Sequence, residues 1–363
     1  MPDFDPNSPA AEDSGIFGLP DTQAAAALVY LPVPWEATTS YGAGASQGPA
    51  AILAASRQVD LFDGDVLKPY ACGLHMLPES RQVRAWNRQA QAAAQKVIAA
   101  GGEAAGRPSL LAAQRRVNAL GGRLNAWVRA ETGRLLDAGK LVGLVGGDHS
   151  TPYGALQALA ARTPSFGVLH FDAHCDLRDA YEGFRWSHAS IMRNVLEDIP
   201  GVKKLVQIGI RDYCEQEYDY ARAQGSRIKV FFDGDLARRR FAGESWDKIS
   251  GRIAAELPRT LWISFDIDGL DPRFCPHTGT PVPGGLDFRE ALYVIEKVVC
   301  SGRKILGFDL NEVAPDPARR DEWDANVGAR LLYKLSAWTL ASQGRARIRG
   351  TGPRHYSIAG DRA

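Results

Sequence analysis

The stretch 165–176, SFGVLHFDAHCD, runs apolar and then ends in three metal-ligand residue types spaced two apart, Asp172, His174 and Asp176. In an extended strand residues i and i+2 point to the same face, so the three side chains converge on one point if the strand stays extended to its end. A structural reading is also open, because Asp and His close strands by bonding to nearby backbone groups. The flanking chain bears on the choice. From 140 onward short apolar runs alternate with helical patterns. Strands are expected at 141–147, 165–172, 204–210, 227–232, 260–268 and 304–310, and helices at 151–161, 188–198, 214–224, 246–256, 287–299 and 325–341. Such alternation predicts an α/β fold, a largely parallel sheet with helices on both faces. Ligands of open sheets of this kind sit at the carboxyl ends of the strands.

Upstream, 25–34 reads as a short buried strand and 44–58 as a Gly/Pro-punctuated turn opening a helix. Residues 80–138 are rich in Ala, Arg and Gln, strong helix formers interrupted near 101–108, and read as a helical pair or insertion. The acidic, Pro-rich residues 1–24 are expected to be a flexible tail, 25–350 one domain, and 351–363 a second tail.

The 363 residues carry 43 Lys and Arg against 42 Asp and Glu, a net charge of +1, so no global field would recruit nucleic acid or an anionic membrane. No stretch approaches a membrane span or a secretory signal pattern. Five scattered cysteines without CxxC pairing suit a reducing compartment, and a cytoplasmic protein is expected.

Carboxylates and histidines recur at the ends of four expected strands. The first is followed by Asp148 and His149 after Gly146-Gly147, the second by Asp172, His174 and Asp176, the fifth ends in Asp266 and Asp268, and the sixth carries Asp309 and Glu312. Each has a bland alternative: Asp148 could cap a helix, and a D-x-D pair could be solvated loop carboxylates. Coincidence across four strands is harder to accept. His149, Asp172, His174, Asp176, Asp266 and Asp268 together are too many for one ion, and four packed carboxylates repel unless cations compensate them. An oxygen-rich set with two imidazoles suits two Mn²⁺ ions, and a pair of ions lowers the pKa of a water held between them. Such a centre should welcome a cationic substrate.

The motifs GGDHS (146–150), DAHCD (172–176), SFDIDGLDP (264–272), GTPVPGG (279–285) and GFDLNEVAP (307–315), in this order, resemble the ureohydrolases, the superfamily of arginases, agmatinases and formiminoglutamases. The resemblance covers about 140–345 and implies a single three-layer α/β/α sandwich around a mainly parallel sheet. It implies that His149 and Asp176 complete one manganese site and His174 and Asp268 the other, with Asp172 and Asp266 bridging; Ni²⁺ or Co²⁺ are alternatives. Asp176 would also hold the nucleophilic water, Glu312 would accept hydrogen bonds from the guanidinium group, and His188 would shuttle a proton to the leaving amine, as an imidazole titrating near neutrality can. The products would be urea and a free amine, and homo-trimers or homo-hexamers are the family habit. The segment LRDAYEG (177–183) before SHAS (187–190) resembles the agmatinase branch, and Arg178 stands where arginases place the Asn that reads the amino-acid end of arginine. Agmatine is therefore the expected substrate, ahead of guanidinobutyrate, arginine and formiminoglutamate, although Arg178 could answer a substrate carboxylate. His277 stands where the family usually has Gly, and the helical insertion is a second departure. A two-metal phosphoesterase, a one-zinc deacetylase relative and a non-catalytic relative are the rival classes.

Overall fold

The computed structural model describes residues 4–350, so the expected tail at 351–363 lies outside the described residues. In chain order the strands are β1 Leu28–Pro32, β2 Val66–Leu67, β3 Leu74–Met76, β4 Leu141–Val145, β5 Phe166–Phe171, β6 Val202–Ile210, β7 Ile228–Phe232, β8 Thr260–Asp266, β9 Lys304–Asn311 and β10 Arg347–Ile348. The α-helices are α1 Gly48–Ser56, α2 Arg81–Ile98, α3 Pro108–Asp137, α4 Tyr153–Ala160, α5 Ile191–Asp198, α6 Glu215–Ala223, α7 Asp233–Phe241, α8 Trp246–Glu256, α9 Phe288–Cys300 and α10 Trp323–Ser342.

Eight strands form one parallel sheet in the order β3-β1-β4-β9-β8-β5-β6-β7, and β2 pairs antiparallel with β10 outside it. Parallel strands covered on both faces must be apolar throughout, and all six residues of β5 are buried. Its side chains alternate between two cores. Leu169 and Phe171 join the layer packed by α8, α9 and α10, whereas Phe166 and Val168 join the layer packed by α4 and α5. The fold is thus the expected α/β/α sandwich.

Helix starts follow local chemistry. Asp287 caps α9 by accepting from Arg289 N while Glu290 reaches back to the Asp287 N–H, a capping box contributing about 1 kcal/mol. The helical pair expected at 80–138 is present as α2 and α3, packed against each other. Gly121 lies inside α3, where a glycine normally weakens a helix. Here a Cβ would come 2.9 Å from the Trp186 side chain, so the missing methyl admits that indole.

Three findings differ from the expectations. Strand β3, helix α7 and the β2–β10 pair carry no usable periodicity: β3 has three residues, and α7 follows β7 without a loop. The N-terminal segment is not a free tail through residue 24. Ile16, Phe17 and Leu19 are buried; Phe17 stands edge-on to Tyr333 with ring centres 5.0 Å apart, and its N–H donates to Ser56 Oγ. Burying these apolar side chains repays ordering the segment. Strand β5 ends at Phe171, and Asp176 has φ 54°, so strand alternation does not carry the three ligand-type residues to one point; a loop turning through a left-handed residue does. Among the described residues no helix is long and apolar enough to cross a membrane, and none of the five cysteines forms a disulfide.

Candidate metal centre

The four central strands β4, β9, β8 and β5 are neighbours, and their carboxyl ends deliver the expected residues to one place. His149 and the carboxylates Asp172, Asp176, Asp266 and Asp268 are all nearly fully buried, and His174 is partly buried. His149 Nδ1 lies 3.0 Å from Asp172 Oδ2, 3.1 Å from Asp266 Oδ2 and 3.5 Å from Asp176 Oδ2. His174 Nδ1 lies 3.1 Å from Asp268 Oδ2 and 3.4 Å from Asp172 Oδ1. The donors therefore fall into two groups, with the two oxygens of Asp172 facing one group each. Asp266 turns Oδ2 to the first group while its Oδ1 accepts from Asp268 N, so its contact with the second group runs through the backbone.

The tautomer of His149 follows from its far side. Ser264 Oγ donates to Asp309 Oδ1, so at 2.8 Å from His149 Nε2 it must accept that ring's proton. In the neutral ring the Nδ1 lone pair then points at three carboxylates. Asp309, at the exit of β9 in sequence, is fully buried as the anchor of this relay and is not a ligand candidate.

The electrostatics state the same need for cations. Burial, followed by the neighbouring carboxylates, pushes Asp176 and Asp266 well above the usual carboxyl range. Burial pushes His149 down, but hydrogen bonds to Asp172 and Asp266 outweigh it and hold the ring well above its ordinary value. For His174 burial is likewise outweighed by Asp268 and Asp172, which raise it to about 12. The buried oxygen-rich donor set with two imidazoles fits two divalent ions, whose charge would relieve these shifts.

Glu312 adjoins the centre from the end of β9 in a left-handed conformation, φ 60°, an unusual backbone for a non-glycine residue. Its Oε1 accepts from His149 N at 2.9 Å, and its buried Oε2 has no hydrogen-bond partner. An unpaired buried carboxylate oxygen is an open acceptor for a donor that arrives later. Burial, then Asp266, pushes the Glu312 carboxyl well above its usual range.

Outside the centre lies a cavity of about 170 Å³ lined by His174, Asp176, Arg178, Tyr181, His188, Asp212 and Glu217, among others. His188 Nδ1 lies 3.3 Å from Thr38 Oγ1. Burial pushes His188 down to about 4, so the ring is neutral at pH 7 and does not titrate near neutrality as expected from the sequence. Arg178 stands on the cavity wall beside Glu217 and Tyr181. Its Nε lies 3.6 Å from Glu217 Oε2, and its guanidinium stacks over Tyr181 at 5.2 Å. His277 does not line the cavity; it pairs with Asp324, Nδ1 to Oδ2 2.7 Å.

Sequence reasoning missed His170, although it sits two residues before Asp172 in the same alternation. Its Nε2 lies 2.8 Å from Asp172 Oδ2 and its Nδ1 2.9 Å from Gln207 Nε2. It also missed Asp212 and Glu217, whose contacts with the cavity follow from no local pattern.

Residues 26–337 match the Arginase family. The chain belongs to this family. Two relatives align with it over nine-tenths or more of their own length. The N(1)-aminopropylagmatine ureohydrolase of Synechocystis sp. is 32% identical over 326 residues, 88% of this chain and 90% of the relative. An enzyme of the same name from Thermus thermophilus is 33% identical, over 88% of this chain and 92% of its own. Among solved structures, the proclavaminate amidino hydrolase of Streptomyces clavuligerus superposes with a TM-score of 0.70 at 23% identity, covering 93% of this chain and 100% of its own. The agmatine ureohydrolase of Thermoplasma volcanium superposes with a TM-score of 0.69 at 22% identity, covering 91% and 96%. These superpositions establish the arginase-family fold. The chain is accordingly a ureohydrolase of the arginase family, a hydrolase of guanidino C–N bonds.

Proposed function

We propose that the protein hydrolyses the guanidino group of a small substrate with a cationic amine tail, agmatine or its aminopropyl derivative, to urea and an amine. The observation that carries this reading is the charge of the cavity. Beyond the metal-ligand candidates its charged lining is Arg178, Glu217 and Asp212. Arg178 is matched by Glu217, which leaves Asp212 to face a substrate tail. An ammonium suits that wall, and a carboxylate does not. The two relatives named for aminopropylagmatine point the same way.

In this reading His149, Asp172, Asp176 and Asp266 would hold one divalent ion and His174, Asp268 and Asp172 the other, Mn²⁺ being the best match to the donors. The pair would bring a water held between them towards hydroxide at neutral pH. Glu312 Oε2 accepts from the guanidinium N–H groups and orients the central carbon, a role suited to an anion already aligned by His149 N. Asp176 would pass the water's proton to the leaving nitrogen, with the neutral His188 ring held on the cavity wall beside it. The balance closes: substrate and one water give urea and an ammonium.

Urea release from agmatine, N(1)-aminopropylagmatine, guanidinobutyrate and arginine, with Mn²⁺ and then Ni²⁺, tests the reading. The cationic-tailed pair should have the highest kcat/KM. A preference for arginine or guanidinobutyrate would overturn the tail assignment.

A further inference from the structure

Two loops form the rim of the cavity, residues 36–46, which supply Ser40, and residues 178–189, which supply Arg178, Tyr181 and His188. Neither loop belongs to the sheet; the first is gripped by α2 and the second by α3 together with the α2–α3 seam. On the first loop the buried Glu36 carboxylate closes the turn: Oε2 accepts from Gly44 N at 2.8 Å and Ser46 N at 2.9 Å. Its Oε1 accepts from Gln91 Nε2 at 2.9 Å, and its backbone N–H donates to Asn87 Oδ1 at 2.9 Å. Asn87 and Gln91 are one turn apart on α2, so a single helix face holds the hub of the loop.

On the second loop the grip comes from α3. Asn118 Oδ1 accepts from Arg185 N at 2.9 Å while its Nδ2 donates to Gly183 O at 3.1 Å. Gln114 Nε2 donates to Glu182 O at 3.0 Å, at a residue held at φ 52°. A non-glycine residue keeps that conformation only when its surroundings impose it. Phe184 is fully buried in a cluster of its own with Ala93, Ala94 and Val97 of α2 and Ala113 and Val117 of α3. The alanines leave a slot between the helices, and the loop's phenyl ring fills it.

We propose that the α2–α3 pair is a brace that positions both rim loops, and with them Thr38, Ser40, Tyr181 and His188, around the bound substrate. Gln91, Asn118 and Phe184 are its positioning residues. The two loops meet where Thr38 Oγ1 reaches His188 Nδ1, so loosening either grip displaces the other side of the rim. The metal-ligand candidates follow the strand ends, and none of them makes a contact with α2 or α3 that the brace would supply.

The test uses the full-length, metal-loaded protein. In the double variant Gln91→Ala/Asn118→Ala, hydrogen–deuterium exchange should accelerate at least tenfold in peptides 36–47 and 178–188 and stay unchanged across β5 and β8. Metal content should not move, and kcat/KM for agmatine should fall about tenfold, mainly through KM, as expected for substrate misplacement. Phe184→Ala should reproduce the exchange at 178–188, and Phe184→Leu should restore most of the protection. Exchange and kcat/KM within twofold of the parent would overturn the proposal, as would acceleration spread evenly over the chain, which marks a stability element alone. The kinetic arm rests on the guanidino reading and the exchange arm does not. Selective loop exchange without turnover of any guanidino substrate would keep the brace and sink that reading.

Discussion

The floor and the rim of the cavity are built by different means. The floor lies at the carboxyl ends of β4, β9, β8 and β5: Asp266 closes β8, the other ligand-type residues sit in the segments that directly follow these strands, and all but the partly exposed His174 are buried. The rim is two loops outside the sheet, held by side-chain contacts from α2 and α3 that lie tens of residues away in sequence. A floor of this kind holds several like charges in place and allows little adjustment. A rim of this kind can change its fit to a substrate tail without disturbing the metal centre.

The largest expected effect breaks the floor. Asp266→Asn removes a carboxylate facing His149 Nδ1, and elemental analysis should find fewer than two divalent ions per chain. Urea formation should fall about a thousandfold, roughly 4 kcal/mol. Two ions retained at full activity would show that Asp266 is not a ligand.

Glu312→Gln tests the border between floor and chemistry. The charge that receives the guanidinium is lost while the shape remains, so kcat/KM should fall by about 2–4 kcal/mol with metal content unchanged. Loss of metal in this variant would assign Glu312 to the centre itself.

At the rim the effects are smaller. Asp212 is exposed, and solvent screens it, so Asp212→Asn should raise KM for agmatine about fivefold, roughly 1 kcal/mol. The same change should leave KM for guanidinobutyrate level or lower it, because that tail is anionic. Equal shifts for both substrates would instead report damage to His174, whose Nε2 lies 4.0 Å from Asp212 Oδ2.

The smallest expected effect lies beyond the cavity and concerns stability. The hydrogen bond to Asp324 raises His277 above its ordinary value. A group raised in the folded state stabilises fully below its unfolded pKa of about 6.5 and loses that contribution as pH rises through the folded value. His277→Gln should therefore lower Tm at pH 6 and have less effect at pH 9, within about 1 kcal/mol. Activity should not change, since His277 does not line the cavity. A Tm deficit that grows with pH would contradict the pairing.

What the sequence by itself determined is the set of features with short-range signatures. Apolar runs at strand length and amphipathic helical runs predicted seven of the eight sheet strands, all but β3, and the helical pair at 80–138. Ligand residue types at strand ends located His149, Asp172, His174, Asp176, Asp266, Asp268 and Glu312. These are legible because one side chain and its immediate neighbours carry the pattern. Tertiary structure alone decided the rest. The loop after β5 brings Asp176 back to the centre through a left-handed turn that strand spacing does not foresee. Arg178 met Glu217 39 positions on, Glu36 met Gln91 55 positions on, and the N-terminal Phe17 packed on Tyr333. Such pairings depend on which surfaces the packed sheet and helices bring together, and local periodicity carries no record of partners so distant in the chain.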